Sequence, residues 1–150
     1  MNTSFQHRNL PSLLLQAREA LMAQRRPALR AHGLSDQQWR VLRALDRLGS
    51  DGMDTGALAK AAFILGPSLT GILERMQRDG LVQRRRSPED ARRWVVYPTE
   101  KGQQTIHALA HAIEAQYAHI ESVLGRESLQ VLYDTLDTLI AANDDSGVPE

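Results

Sequence analysis

Cysteine is missing from all 150 residues. Its absence excludes in one step a disulfide scaffold, a thiolate metal site, a thiol nucleophile and a cysteine redox sensor, and it fits a reducing compartment. No stretch reaches the roughly 18 consecutive apolar residues that a membrane span requires. Met1 to Leu10 is polar, with a single Arg ahead of a broken apolar stretch, so the expectation is a soluble, cytoplasmic chain with no membrane role. Internal repeats and low-complexity tracts are absent, as are a Gly-rich phosphate loop, a nucleophile elbow and an evident pair of catalytic carboxylates. These absences argue against an enzyme and against a bound cofactor. What is present is ordinary: 42% hydrophobic and 24% charged residues, the composition of a globular protein. A chain of this length buries roughly 70% of its unfolded surface around one core, so residues 1–150 are expected to form a single domain.

Net charge is also missing, because 18 Lys and Arg balance 18 Asp and Glu. The distribution is nevertheless lopsided. Residues 1–102 hold 17 of the basic and 10 of the acidic residues, whereas residues 103–150 hold Arg126 and eight carboxylates. The zero therefore hides a dipolar molecule. Sixteen of the basic residues are Arg, the side chain suited to forked contacts with phosphate and base edges, although codon usage yields the same bias.

Helices occupy both ends, with a mixed segment between them. Leu10, Leu13, Leu14, Ala17, Leu21, Ala28 and Leu29 follow helical spacing, which predicts a first helix over 10–31, with Pro27 as a bend point and His32-Gly33 as its end. Ser35 is a natural N-cap with Gln38 as its capping-box partner, and Val41, Leu42, Leu45 and Leu48 give a second helix an apolar face that Gly49 to Gly52 closes. Leu58, Ala59, Ala62 and Phe63 mark a short third helix capped by Asp54 or Thr55. A fourth opens at Gly66-Pro67, where Pro suits the first turn, and runs to Asp79-Gly80. Leu81 to Arg86 and Arg93 to Tyr97 are strand-like, joined by a polar turn containing Pro88. Thr99 caps a long helix carrying Ile106, Leu109, Ile113, Tyr117 and Leu124; Gly125 breaks it, and Leu129 to Ile140 repeat the pattern ahead of a polar tail from Asn143.

The fold class this predicts is mainly α with a small β-hairpin. Two short helices joined by a tight turn and followed by a basic hairpin form a winged helix-turn-helix over 34–102, whose second helix enters the major groove and whose wing reaches the minor groove. From Gly66 to Tyr97 there are seven Arg against four acidic residues, a patch fit for the salt-sensitive phosphate contacts that dominate DNA affinity. The competing assignment is a solvated hairpin in a helical protein. The apolar stripes of residues 10–33 and 103–142 exceed what the small module covers, which predicts a dimerisation region, with burial inside one chain as the alternative.

Asp90-Ala91-Arg92 followed by Val95, Pro98-Thr99 and Gly102 resembles the wing signature of the MarR family of bacterial transcription regulators. Ser68-Leu69-Thr70, Glu74-Arg75-Met76 and Asp79-Gly80-Leu81-Val82 resemble its recognition helix and exit. The resemblance implies a homodimer with interlocking terminal helices, a pseudo-palindromic DNA operator and release by small aromatic acids. It places Arg92 in the minor groove with Arg93 nearby, and Pro67, Ser68, Thr70 and Arg75 at the major groove or its phosphates. The equivalent of Arg75 commonly pairs with the wing aspartate, here Asp90, so Arg75 either reads DNA or holds the wing. Alternation along a strand lets Arg84 and Arg86 share one side, where phosphate contact suits them. Gly71 departs from the many relatives with a larger polar or basic residue there, so their operator preference does not transfer.

Within the family, Gln16-Ala17-Arg18-Glu19-Ala20, Arg26-Pro27 and Gly33 to Arg43 resemble the branch that regulates homoprotocatechuate degradation. That branch implies an aromatic or heteroaromatic carboxylate effector of the hydroxyphenylacetate, homoprotocatechuate or hydroxynicotinate type. A carboxylate suits a forked Arg and a ring suits an apolar wall, so Arg18, Arg40 and Arg43 beside Trp39, with Ser12, Gln16 and His32 as polar contacts, are the candidate effector residues. Each has a plainer assignment: Arg40 paired with Asp36 and Arg43 with Asp46, Arg18 on a helix surface, and Trp39 in the core. A rival function rests on His107, His111 and Glu114, spaced for a metal on one helix face, as in a metal-dependent helical protein or metal sensor.

Overall fold

The computed structural model describes residues 4–47 and 51–144. Leu48, Gly49 and the tail beyond Asp144, all included in the sequence reading, lie outside the described residues. Helix α1, Leu10–Ala31, starts where the Asn9 side chain accepts a hydrogen bond from the Ser12 amide (3.1 Å), and it continues through Pro27. It ends at His32, followed by Gly33 at φ +68°. Helix α2, Asp36–Asp46, opens with the expected capping box: Ser35 Oγ accepts from the Gln38 amide at 3.1 Å and Gln38 Oε1 from the Ser35 amide at 3.0 Å.

A two-residue strand, β1 (Met53–Asp54), precedes α3 (Thr55–Ala62), whose N-cap Asp54 accepts from the Ala57 amide at 2.8 Å. Two residues carry no alternation, so the sequence pattern has nothing to show for β1. Helix α4, Gly66–Arg78, has Pro67 in its first turn and no side-chain cap. The hairpin pairs β2 (Val82–Arg86) with β3 (Trp94–Pro98), each one residue off the predicted bounds at one or both ends. The antiparallel sheet is ordered β1-β3-β2, with Met53 opposite Val96 and Arg86 opposite Trp94. Helix α5, Glu100–Leu124, begins after Thr99, whose Oγ1 accepts from the Gly102 amide at 3.0 Å. Gly125, at φ +86°, separates it from α6, Arg126–Asp144, which extends past the expected end at residue 142.

The chain divides into two compact units within α5, Met1–His111 and Ala112–Glu150. In the first, Leu42 and Leu45 of α2, Leu58 of α3, Leu73 and Met76 of α4 and Val96 of β3 are fully buried. This aliphatic centre fixes α4 and the wing on one scaffold; burying each such side chain contributes about 1.5–3 kcal/mol. A Cβ added at Gly102 would stand 2.2 Å from the Leu81 carbonyl oxygen, so α5 starts in close backbone contact with the entry to β2. In the second unit α6 buries no residue, leaving Val131, Leu132, Tyr133 and Ile140 exposed. Much of α1 is likewise uncovered, including Leu10, Leu14, Leu15 and Leu21. No single helix among the described residues is long and apolar enough to cross a membrane.

Candidate nucleic-acid interface

The turn between α3 and α4 sets the direction of the second helix. Phe63 occupies the left-handed region (φ 54°, ψ 55°), where an L side chain is strained by roughly 1–2 kcal/mol, and its ring is 89% exposed. Hydrogen bonds from the Phe63 amide to Lys60 O (3.3 Å) and from Ile64 to Ala59 O (2.9 Å) close α3. Arg40 of α2 reinforces the closure, with Nη1 donating to Ala62 O at 3.0 Å and to Phe63 O at 2.8 Å. Beyond this turn Pro67, Ser68 and Thr70 stand exposed on α4, and Leu69, Ile72, Leu73 and Met76 point into the core. Gly71 has open space where a Cβ would be.

The wing carries its arginines on both faces, as strand alternation requires. Arg86 and Arg84 lie over the Trp94 ring, 4.6 and 5.8 Å from its centroid, and Arg85 lies over Tyr97 at 5.3 Å. Each contact contributes about 0.5–1 kcal/mol at an exposed site and, more to the point, holds a long side chain in one place. Arg84 Nε also donates to Gln77 Oε1 at 3.0 Å, tying the wing to α4. A cavity of about 350 Å³ between α3, α4 and the wing is lined by Gly66, Thr70, Arg84 and Trp94 among others. Trp94 was not among the expected site residues; with the register known, its place opposite Arg86 follows from the pairing.

One expectation for the wing is corrected. Asp90 does not pair with Arg75. Its Oδ1 accepts from the Arg92 amide (3.0 Å) and from Arg92 Nε (3.2 Å), a local turn within the wing. The Arg92 amide, then its guanidinium, hold the Asp90 carboxyl below the usual carboxylate range. Arg75 is exposed, makes no ion pair among the described residues, and lines a cavity of about 370 Å³ with Ser35, Gln37, Gln38 and Ile72. Arg93 has a partner within the protein: its guanidinium pairs with Asp54, the α3 N-cap. The Ala57 amide, then Arg93, lower the Asp54 pKa, and the pair ties the wing to the start of α3. Arg92 remains at the tip with its side chain 91% exposed.

Of the candidate effector residues, the structure gathers Arg18 and Arg40 on Asp36. Arg18 Nη2 donates to Asp36 Oδ2 at 2.7 Å, and Arg40 Nε lies 3.3 Å from the same oxygen. Arg40 is thus engaged on Asp36 and on the carbonyls that end α3. Gln16 donates to Ser12 Oγ (3.3 Å) on α1, His32 Nδ1 lies 3.1 Å from Ala28 O, and Arg43 faces Asp46 at 3.7 Å. Trp39 is core, at 4% exposure. Asp36, which the sequence reading named only as a partner of Arg40, is the node of this cluster. The metal reading is not supported: among the described residues no group of three His, Asp or Glu side chains is placed to share an ion.

The model of the MarR family matches residues 32–93. The homoprotocatechuate degradative operon repressor of Escherichia coli is 44% identical over 135 residues, 90% of this chain and 90% of the relative. The chain belongs to the MarR family. Among solved structures it is similar to NadR in complex with 4-hydroxyphenylacetate, with 42% identity and a TM-score of 0.82 over 93% of this chain and 97% of that one. It is also similar to the transcriptional repressor CouR bound to a 23-mer DNA duplex, with 25% identity and a TM-score of 0.79 over 88% and 92% of the two chains. As a MarR-family transcriptional regulator, the protein has in α3, α4 and the β2-β3 wing the family's winged helix-turn-helix.

Proposed function

We propose that the protein is a cytoplasmic homodimeric repressor that binds a pseudo-palindromic operator and leaves it when a small aromatic or heteroaromatic carboxylate binds, so controlling an operon for aromatic catabolism. The observation that carries the reading is the surface where exposed Pro67, Ser68, Thr70 and Arg75 of α4 adjoin a wing whose arginines are ordered on Trp94 and end in Arg92. Such a surface supplies major-groove contacts, phosphate contacts and a minor-groove cation together. The uncovered apolar faces of α1 and α6 support a dimer, since two-fold association buries the same patch on both copies. Two recognition helices would then meet DNA about 34 Å apart, one helical turn.

The effector class follows from the similarity to the E. coli repressor and to NadR, together with half-exposed Arg18 as a fork for a carboxylate. Ser12, Gln16, His32, Trp39 and Arg43 remain proposed contacts or walls around it. DNase footprinting of the DNA upstream of the protein's own gene tests the proposal. Protection of two half-sites about one turn apart, lost on adding 4-hydroxyphenylacetate, homoprotocatechuate or hydroxynicotinate, is the expected result. Protection that survives all three acids would remove the effector assignment and leave the DNA-binding one.

A further inference from the structure

We infer that Arg18, Asp36 and Arg40 form a positioning chain through which the α1 surface sets the α3–α4 turn and, with it, the recognition helix. The inference deepens the proposed function and rests on its reading that an acidic effector engages α1. One carboxylate oxygen, Asp36 Oδ2, serves two guanidiniums, with Arg18 Nη2 at 2.7 Å and Arg40 Nε at 3.3 Å. The two contacts are unequal. Arg18 makes a short charge-assisted hydrogen bond, whereas Arg40 Nε is buried and has no aligned acceptor. On its other branch Arg40 Nη1 spans the carbonyls at the start of the turn, Ala62 O and Phe63 O.

A guanidinium is a rigid plane, so Nε and Nη1 cannot be satisfied independently. Turning Nε into line with Asp36 draws Nη1 away from the two carbonyls. While Arg18 holds Oδ2, Arg40 stays on the turn. An anion that takes Arg18 gives Asp36 undivided to Arg40, the buried Nε gains its acceptor, and the turn loses its clamp. That clamp holds Phe63, whose φ of 54° an L side chain adopts only under constraint, and only Ile64 and Leu65 separate Phe63 from the first residue of α4. The two orientations of one side chain are thus the two states that the α1 surface biases, as coupling between distant sites requires.

The chain and an ordinary α1–α2 clamp make opposite predictions. Were the Arg18–Asp36 bridge only a clamp, removing either partner would have the same effect. Through the chain, Arg18→Ala frees Asp36 for Arg40 and loosens the turn, whereas Asp36→Asn leaves Arg40 on the carbonyls. Amide hydrogen exchange of the full-length protein without ligand reads this directly. Arg18→Ala is expected to speed exchange at Phe63 and Ile64 roughly tenfold. Asp36→Asn is expected to leave it unchanged or slower, and to cancel the effect of Arg18→Ala in the double variant. Arg18→Lys, which keeps the charge beside Asp36, is expected to restore most of the wild-type protection and gives a second reading should Asp36→Asn fold poorly. Equal acceleration in Arg18→Ala and Asp36→Asn, or an Arg18→Ala turn that exchanges as in the wild type, would overturn the chain. Because no effector enters this experiment, it stands apart from release of operator by 4-hydroxyphenylacetate, whose failure would instead count against the effector reading.

Discussion

Arg92 is the residue on which the DNA reading is most exposed to test. Its side chain stands in solvent at the wing tip, oriented by a single contact to Asp90. Arg92→Ala should weaken operator binding and lower the slope of log affinity against log salt by about one, the share of one released counterion; binding measured at several salt concentrations checks this. Asp54 works differently, because it caps α3 and holds Arg93. Its folded pKa lies below the ordinary value of 3.8. The stability it contributes is therefore complete above the unfolded value, declines as pH falls through that value, and is gone below the folded one. Asp54→Ala should lower stability near neutral pH by about 0.5–2 kcal/mol and flatten its decline on acidification, as followed by denaturant unfolding between neutral and acidic pH. At this scale the sequence named the pairs one helical turn apart, Arg40 with Asp36 and Arg43 with Asp46, and missed those set by tertiary contacts. Arg75 and Asp90, or Arg93 and a phosphate, are reasonable partners by charge, but which carboxylate a guanidinium meets depends on a turn that closes Asp90 onto Arg92 and a two-residue strand that brings Asp54 beside Arg93.

Elements were far more legible than pairings. The bounds of α1, the capping box of α2, the Pro-led start of α4 and the breaks at Gly80 and Gly125 follow from backbone chemistry written locally in the chain. β1 escaped because its only signature is its pairing with β3, a contact made across more than forty residues of sequence. The αL turn at Phe63 escaped for a related reason. No Gly or Asn announces it, and it is held from outside by Arg40. Gly102 shows the same dependence of an element on its neighbour, since α5 approaches Leu81 too closely for a side chain. Gly102→Ala should gain helix propensity yet cost about 1–3 kcal/mol through the forced shift of α5 against the wing, and thermal unfolding should show a lower midpoint.

For the whole molecule, zero net charge conceals a division of labour: arginine is concentrated in the residues that form the winged lobe and α1, and acid in the C-terminal helices. The exposed apolar side chains of α6 give the dimer its test. Ile140→Asp should shift sedimentation from dimer toward monomer and weaken operator binding, because each half-site then binds alone. The family was legible in the wing and recognition-helix motifs, whereas the inward turn of Arg40 onto the Ala62 and Phe63 carbonyls depends on contacts between helices that no local pattern carries. The central claim, a DNA-binding regulator relieved by an aromatic acid, is tested most directly by fluorescence anisotropy of the protein on its own upstream DNA, with and without 4-hydroxyphenylacetate. Tight, salt-sensitive binding that weakens by about five- to 150-fold at saturating acid is the predicted result. Binding that is salt-insensitive or absent at low salt would contradict the account at its root, and tight binding unmoved by 4-hydroxyphenylacetate, homoprotocatechuate and hydroxynicotinate alike would contradict its effector half.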